Sequence, residues 1–206
     1  EPQAMEVASI RSIASGSPVA ALDFQPPFEA PHHSSSMIAL VGGGSGIPKP
    51  GVITRAHHGV LFLDEAPEFN SSALDALRQP LESGEVQIAR ANYSVRYPAR
   101  IQLVLAANPC PCAKPETKHG QTVASCDCSE RTKQRYLGRL SGPLMDRIDI
   151  QLRMRPVNPH IALDPSLAAD SSSILRERVV EARARTSHRL AQTPWLVNAQ
   201  VSAAYL

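Results

Sequence analysis

Two short runs of apolar residues stand out along the chain, and each of them ends in polar residues. Val60–Leu63 leads directly into Asp64 and Glu65, and a second run over 100–107, apolar apart from Arg100 and Gln102, ends at Asn108. Continuous apolar runs of this kind are typical of strands in a parallel sheet that helices cover on both faces. We therefore predict an α/β fold in which both strands bring polar side chains to the carboxyl edge of the sheet, where ligands bind in such folds.

Other segments alternate apolar and polar residues, or repeat apolar residues at helical spacing. Residues 84–100 alternate on both sides of an Arg90–Asn92 tip, which predicts a β-hairpin, and 148–154 alternates as a further strand. Serine or asparagine caps mark the expected starts of the helices. The predicted helices cover 3–14, 37–41 after Ser36, 71–83 after Asn70, 130–139 after Ser129, and 174–190 after Ser173. We expect Pro80 to end the regular part of the helix over 71–83 early.

Length and composition indicate one large domain with a small appendage, placed at 1–155 and 156–206. The 206 residues are 43% hydrophobic and carry a net charge of only +2, so any contact with DNA needs a local basic patch. No apolar run approaches the roughly 20 residues of a membrane span. The first residues lack the pattern of a signal peptide, so we expect a cytoplasmic protein.

The glycine-rich segment 42–46 does not have the form of a phosphate-binding loop. Such a loop needs a lysine and then serine or threonine at the start of a helix. Here Lys49 stands between Pro48 and Pro50, which exclude a helix at this point. We interpret the segment as a flexible loop tip.

Two pairs of cysteines and two pairs of histidines are the candidate metal ligands. Adjacent histidines on an extended segment point to opposite sides, so we interpret His32–His33 and His57–His58 as structural or surface residues. Paired thiols that close a polar loop over 109–129 favour a structural zinc site, with free thiols and disulfides as the alternatives. The predicted zinc ligands are Cys110, Cys112, Cys126 and Cys128.

The acidic pair after the first strand has the form of a Walker B element. In such a site Asp64 would hold a Mg²⁺ ion that bridges nucleotide phosphates, and Glu65 would polarise the attacking water. The amide of Asn108 can orient a water against a terminal phosphate without adding charge. The alternatives are two solvated acids at the end of a strand and a common Asn-Pro turn.

Several strings occur in the order found in AAA+ ATPases of the clade with a hairpin before the sensor-1 strand. Over about its whole length the chain most resembles the magnesium-chelatase-like branch that contains the YifB and ComM proteins. The strings are Ala30–Ser34, Val41–Gly44, Ala56–Glu65, Pro67–Phe69, Leu74–Arg78, Tyr97–Arg100, Ala107–Pro109 and Arg139–Asp149.

This resemblance implies an ATP- and Mg²⁺-dependent motor that remodels DNA as a ring, normally of six subunits. It makes 15–58 a helix-2-type insert, Asp64 and Glu65 the Walker B pair, and Asn108 the sensor-1 residue. Arg147 would be the arginine finger, which neutralises charge at the nucleotide of a neighbouring subunit.

The insert and the hairpin face the central pore in such rings. The DNA contacts that the resemblance predicts are therefore Arg90, Asn92, Lys49 and Arg55. Gln25 and Glu29 stand where the family often has arginine, which weakens a DNA-binding role for that segment.

In the family, a phosphate loop would precede residue 1 and a sensor-2 arginine would follow residue 206, in the helical lid that 156–206 begins. We therefore expect the 206-residue chain by itself neither to bind ATP tightly nor to hydrolyse it. Two other functions remain open at this point. One is a magnesium-chelatase-type ATPase subunit, and the other is a non-enzymatic, zinc-stabilised module that binds nucleic acid or protein.

Overall fold

A computed structural model describes the chain in several ranges and divides it into two compact units, 1–153 and 154–206. The roles predicted for these units, an ATPase core and a partial helical lid, stay predictions. The side chains of Arg90 and Tyr93 lie outside the description. The described residues are 1–44, 46–90, 93–112, 126–154, 170–202 and 205.

Short helices and strands alternate in the first unit, and one long helix is described in the second. The helices are α1 (Pro2–Ser15), α2 (Met37–Val41), α3 (Val52–Arg55), α4 (Ser71–Asp75), α5 (Arg78–Ser83), α6 (Glu130–Leu137), α7 (Gly142–Met145) and α8 (Ser172–Leu190). The strands are β1 (Phe28–Glu29), β2 (Gly42–Gly43), β3 (Lys49–Pro50), β4 (Val60–Leu63), β5 (Glu85–Arg90), β6 (Tyr93–Pro98) and β7 (Gln102–Leu105). Turns of 3₁₀-helix cover Ala66–Glu68 and Asn198–Gln200.

A parallel sheet in the order β1-β4-β7 confirms the predicted α/β fold. Val60 of β4 lies opposite Phe28 on one side and Gln102 on the other. Leu61 and Leu63 are fully buried, whereas the residues between and before them are only half-buried. The prediction that β4 is buried on both faces is therefore right for one face only.

Strand β1 has no signal in the sequence, because it follows two prolines and is only two residues long. The N–H of Val60 donates to the carbonyl of Pro27 at 2.8 Å and brings β1 into parallel pairing with β4. Gly59 permits this approach, since a Cβ at that position would lie 2.0 Å from the Pro27 oxygen. The pairing depends on close backbone contact rather than on an apolar pattern.

One hydrophobic core holds the sheet against the helices and the β5–β6 hairpin. It includes Ile53 of α3, Leu74 of α4, Ile88 of β5 and Leu144 of α7. Burial of such apolar surface is the dominant favourable contribution to folding. Because Leu61 and Leu63 belong to the same cluster, the core also fixes the end of β4 that carries the acids.

The predicted hairpin is confirmed as strands β5 and β6, with Val86 opposite Tyr97 and Ile88 opposite Val95. Its tip, 91–92, lies outside the described residues. The hydroxyl of Tyr97 donates to the carbonyl of Pro48 at 2.5 Å, so the hairpin is joined to the glycine-rich segment. Burial raises the pKa of Tyr97 above its ordinary value.

Gly42 and Gly43 of the glycine-rich segment lie in a strand rather than in a flexible loop tip. Gly42 and Gly43 pair with Pro50 and Lys49 to form the antiparallel ribbon β2–β3. Gly42 has φ 110°, and a Cβ on it would lie 2.4 Å from the carbonyl oxygen of Lys49. Glycine is required here by backbone conformation and close contact, which gives these residues a structural role.

The strand predicted at 148–154 is absent from the described part of the chain, so that prediction is wrong. Ile150, Leu152 and Met154 are exposed. Alternating apolar residues form a strand only where a neighbouring strand exchanges backbone hydrogen bonds with them. No described strand lies beside this segment, since β7 is paired only with β4.

Two helix boundaries also differ from the predictions. Pro80 interrupts the helix over 71–83 as expected, because it has no N–H to donate to the carbonyl of Ala76, but the break lies before it, and α5 continues past Pro80 to Ser83. Ser171, not Ser173, accepts the capping hydrogen bond from Ile174 at the start of α8. None of the described helices is both long enough and apolar enough to cross a membrane, and the cytoplasmic location stays a prediction.

Candidate functional site

The acids after β4 lie at the carboxyl edge of the sheet, beside the end of β7. The N–H of Ala106 donates to Leu63, and the N–H of Ala66 donates to the carbonyl of Ala106, both at 2.9 Å. These bonds continue the pairing of the two strands past Asp64. Asn108 comes two residues after Ala106, so the structure brings the end of β7 to the same edge as the acidic pair.

The backbone at Glu65 is turned into the left-handed region, with φ 51° and ψ 41°. Asp64 stabilises this turn, because its Oδ1 accepts the N–H of Glu65 at 2.9 Å. Left-handed backbone is uncommon outside glycine, asparagine and aspartate, and it is concentrated at functional sites. Asp64 retains its other carboxylate oxygen for a ligand, and Glu65 remains half-exposed, with 49% of its side chain accessible.

His33 faces Glu65 across the edge, with 3.7 Å between its Nε2 and the Glu65 Oε2. It also lines an open cavity of about 540 Å³ beside the acidic edge. The cavity is predominantly polar in its lining residues. Those residues are His33, Ser34, Ser35, Ser36, Met37, Glu68, Phe69, Asn70, Ser71 and Arg139.

The region after α6 supplies a cation to the same cavity. Arg139 donates to the carbonyl of Pro67 at 2.9 Å and lies 3.5 Å from the carboxylate of Glu68. Tyr136 is buried next to this pair, and burial first, then the charge of Glu68, raises the pKa of its hydroxyl. Arg139 therefore offers a positive group within reach of an anionic ligand in the cavity.

Sequence reasoning indicated no role at the site for Glu68, Tyr136 or Arg139, and it predicted a structural or surface role for His33. His33, Glu68 and Arg139 lie inside the sequence motifs that carry the family resemblance, and this position is the one signal that could have identified them. Their convergence was not readable from spacing, because His33 and Arg139 are more than 100 residues apart along the chain.

None of the described contacts of Arg147 joins it to the acidic pair. Its guanidinium forms an ion pair with Glu82 of α5 and donates to the carbonyl of Pro143. Its Nε is buried without a hydrogen-bond partner. The role of Arg147 as an arginine finger concerns a neighbouring subunit and stays a prediction.

The residues predicted to contact DNA have different surroundings. Lys49 is exposed on β3. Arg55 is bound by Glu29, whose two carboxylate oxygens accept from Nε at 3.2 Å and from Nη2 at 3.1 Å. The side chain of Arg90 and the whole of Asn92 lie outside the described residues, so the four DNA contacts stay predictions.

The four cysteine sulfurs form one compact cluster. Cys110 lies 3.1 Å from Cys112 and 3.3 Å from Cys126, and the four sulfurs, including that of Cys128, all lie within 4.8 Å of one another. None of them forms a disulfide. Hydrogen bonding with Cys112, and then burial, raises the pKa of Cys110 to about 12 in the absence of a cation.

A second cluster joins His57 and His58 to Glu6 of α1. Both Nε2 atoms approach the same Glu6 oxygen, at 2.9 and 2.7 Å, because His58 has a left-handed backbone and the segment turns. The expectation that adjacent histidines point apart is therefore wrong here. Their structural role is nevertheless supported, since His57 Nδ1 accepts the N–H of Arg100 at 3.0 Å.

That hydrogen bond also argues against a metal ion at this second cluster. A backbone N–H can only donate, so Nδ1 of His57 carries no proton and the neutral ring carries its proton on Nε2. Nε2 then donates to Glu6 and has no lone pair for a metal. The cluster is a hydrogen-bonded connection between α1 and the turn before β4.

Comparisons with known proteins agree with the motifs. A family model described as magnesium chelatase, subunit ChlI, matches residues 1–161. The uncharacterized protein Rv2897c of Mycobacterium tuberculosis (strain ATCC 25618 / H37Rv) is 49% identical over 205 residues, which cover 97% of this chain and 38% of that protein. YifB of Escherichia coli (strain K12) is 43% identical over 187 residues, which cover 91% of this chain and 36% of that protein.

The competence protein ComM of Haemophilus influenzae (strain ATCC 51907 / DSM 11121 / KW20 / Rd) is 47% identical over 186 residues, which cover 88% of this chain and 34% of that protein. The chain thus spans little more than a third of the length of these curated relatives. The family resemblance inferred from the motifs is confirmed: this chain, similar to YifB and ComM, belongs to the magnesium chelatase subunit ChlI family.

Proposed function

We propose that the full-length protein containing this chain is an ATP-driven motor that remodels DNA, of the branch-migration type. The observation that carries the ATPase part is the acidic edge. Asp64 and Glu65 leave β4 beside the end of β7, with Glu65 held in a left-handed turn by the carboxylate that precedes it. A parallel sheet edge of this form is where α/β proteins bind ligands.

In this proposal each polar group at the edge has a separate task. Asp64 would hold Mg²⁺ with its free carboxylate oxygen, since Mg²⁺ prefers oxygen ligands and keeps several waters. Bound Mg²⁺ supplies charge neutralisation at the phosphates of ATP. Glu65 accepts hydrogen bonds from water beside the edge, and the amide of Asn108 orients that water. The proposed cofactors are ATP, Mg²⁺ and a structural zinc ion on the four thiols.

Arg139 and His33 are additional candidates for the same site. Arg139 is held at the cavity by the Pro67 carbonyl, and an anionic ligand there would compete with Glu68, 3.5 Å away, for its charge. His33 lies near enough to Glu65 to restrain that carboxylate. We propose that His33 positions Glu65 rather than reacting with substrate.

The assembly we propose is a homo-oligomeric ring, most simply a hexamer, in which Arg147 reaches the nucleotide of the next subunit. In the single chain Arg147 is paired with Glu82, so ring formation would replace an internal ion pair with an intersubunit one. Lys49 and the hairpin tip at Arg90 and Asn92 would contact the DNA phosphates. Arg55 is a weaker candidate, because Glu29 already neutralises it.

A magnesium-chelatase-type ATPase subunit is the second candidate, because the family model that matches residues 1–161 bears that description. The two candidates predict different activators of the same ATPase. The test is the steady-state rate of ATP hydrolysis by the full-length protein, measured with single-stranded DNA, with branched DNA, and with a magnesium-free porphyrin.

Stimulation by either DNA, and not by the porphyrin, is the result that the proposal predicts. Stimulation by the porphyrin alone would replace it with the chelatase candidate. Hydrolysis that neither ligand changes would contradict the DNA-remodelling proposal, and absence of hydrolysis would contradict the ATPase itself.

A further inference from the structure

The four thiols sit at a junction between two parts of the candidate site. Cys110 follows Asn108 by two residues and follows Leu105, the last residue of β7, by five. Cys128 immediately precedes Ser129, whose hydroxyl accepts the N–H of Thr132 and caps α6. The cluster therefore connects the segment after β7, which carries Asn108, to α6, which contains Tyr136.

We propose that the four thiolates bind one zinc ion, and that this ion holds the end of β7 to the start of α6 and so keeps Asn108 in place beside Asp64 and Glu65. The positioning part of this inference rests on the proposed ATPase function. The zinc site itself depends only on the geometry of the sulfurs.

The spacing of the sulfurs suits a single ion. With Zn–S bonds of about 2.3 Å, the edge of a regular tetrahedron is about 3.8 Å. The observed Sγ–Sγ distances are 3.1, 3.3 and 3.4 Å, so an expansion of a few tenths of an ångström admits the ion. These distances are too long for disulfide bonds, which need about 2.05 Å. A cube of four irons would need sulfurs much further apart.

Burial and chain connectivity favour a structural ion over a catalytic one. Cys110 is only 1% exposed, and all four positions of a tetrahedral site are taken by protein sulfurs. A site without an open position holds the fold together and does not activate water. Binding would release the thiol protons and replace four mutually crowded S–H groups with ion–sulfur bonds.

The effect on the acidic edge follows from chain connectivity. Beyond Leu105 the last described backbone contact between β7 and β4 is at Ala106, so Asn108 lies past the end of the sheet. The described backbone hydrogen bonds between the two strands end at Ala106, two residues before Asn108, so the ion would add a second anchor two residues after it. On the other side, α6 without the ion would lose its attachment at Cys128 and with it part of the support for Tyr136.

The first test is the metal content of the purified full-length protein. We expect about one zinc per chain by elemental analysis. The Cys112→Ser variant should lose the zinc, and the matched control Asp127→Asn should retain it, because Asp127 lies between two ligands and leaves all four thiols intact. Iron in place of zinc, no metal, or full zinc in Cys112→Ser would overturn the inference.

The second test separates positioning from general loss of structure. Cys112→Ser should lower kcat for ATP hydrolysis about tenfold or more with little change in ATP affinity, and Cys112→His should recover both zinc and most of kcat. An unchanged kcat in a zinc-free variant would refute the positioning role. Equal loss of ATP affinity and kcat would also refute it.

A third measurement does not depend on ATPase activity or on the folding of a variant. Zinc is removed from the wild-type protein with a chelator, and amide hydrogen exchange is followed before and after. We expect faster exchange in 106–110 and 129–137 and unchanged exchange in the β5–β6 hairpin. Faster exchange in the whole protein, or no change of exchange anywhere, would contradict a local role of the zinc ion. If the protein had no ATPase activity, the hydrogen-exchange result would still test the zinc site.

Discussion

Replacing His57 tests the connection between α1 and the turn before β4. Its ring is 1% exposed and satisfies two groups, the N–H of Arg100 and the carboxylate of Glu6. In His57→Ala, the orphaned N–H costs about 1–3 kcal/mol. Loss of a buried side chain of this size costs about 2–5 kcal/mol. The two contributions overlap, so we expect a total loss of about 3–4 kcal/mol.

Two further variants make this prediction specific. His58→Ala loses one hydrogen bond to Glu6 and the contact of its ring with the ring of His57, 3.9 Å away between centroids, and should cost about 1–2 kcal/mol. His57→Asn keeps an acceptor close to the position of Nδ1 and should lose less than His57→Ala. The measurement is urea denaturation followed by far-ultraviolet circular dichroism. Equal losses for His57→Ala and His58→Ala would refute the reasoning.

The same contact predicts how stability depends on pH. Burial, the largest cause, lowers the pKa of His57 below its ordinary 6.5, and the hydrogen bond with His57 lowers the pKa of Glu6 below 4.5. The unfolded chain therefore binds more protons than the folded chain as the pH falls through these values. The free energy of unfolding should be highest above about pH 6.5 and should fall as the pH is lowered. His57→Asn should reduce the first part of that fall, because it removes the titrating imidazole.

Leu61→Ala and Gly59→Ala test the packing around β4, and Leu152→Ala is the control for the first. Each is checked by the free energy of unfolding in urea. Leu61→Ala removes a side chain that is 0% exposed and should cost about 2–5 kcal/mol, whereas Leu152→Ala, at an 80% exposed position, should stay within about 0.5 kcal/mol of wild type. Gly59→Ala places a Cβ 2.0 Å from the Pro27 oxygen and should cost about 1–3 kcal/mol through separation of β1 from β4. Similar stabilities of the two leucine variants, or a neutral Gly59→Ala, would contradict the described packing.

Local patterns in the sequence were sufficient for the elements that local contacts determine. Ser36 and Asn70 cap their helices as expected, and the alternation around Val86 and Tyr97 gives the hairpin. Strand β1 could not be predicted, since its pairing depends on the contact of Gly59 with a distant proline. The reverse holds for 148–154, where alternation is present but no described neighbouring strand provides a partner.

The candidate site was predictable to the extent that it follows from strand ends. Asp64 and Asn108 end two apolar runs, and parallel strands bring such ends to one edge. His33 and Arg139 come from a loop and from the region after a helix, and only tertiary structure brings His33 to Glu65 and both residues to one cavity. Pairing of Arg147 with Glu82 was equally unreadable, because it joins residues 65 positions apart along the chain.

The most direct test of the acidic edge as an ATP-hydrolysing site is single-turnover hydrolysis by the full-length Glu65→Gln variant, with ATP affinity measured on the same protein. We expect the rate to fall about 100-fold or more while ATP affinity stays close to wild type, because the amide cannot polarise water. Glu130→Gln, an exposed change on α6, should hydrolyse ATP at the wild-type rate. Wild-type hydrolysis by Glu65→Gln would contradict the assignment.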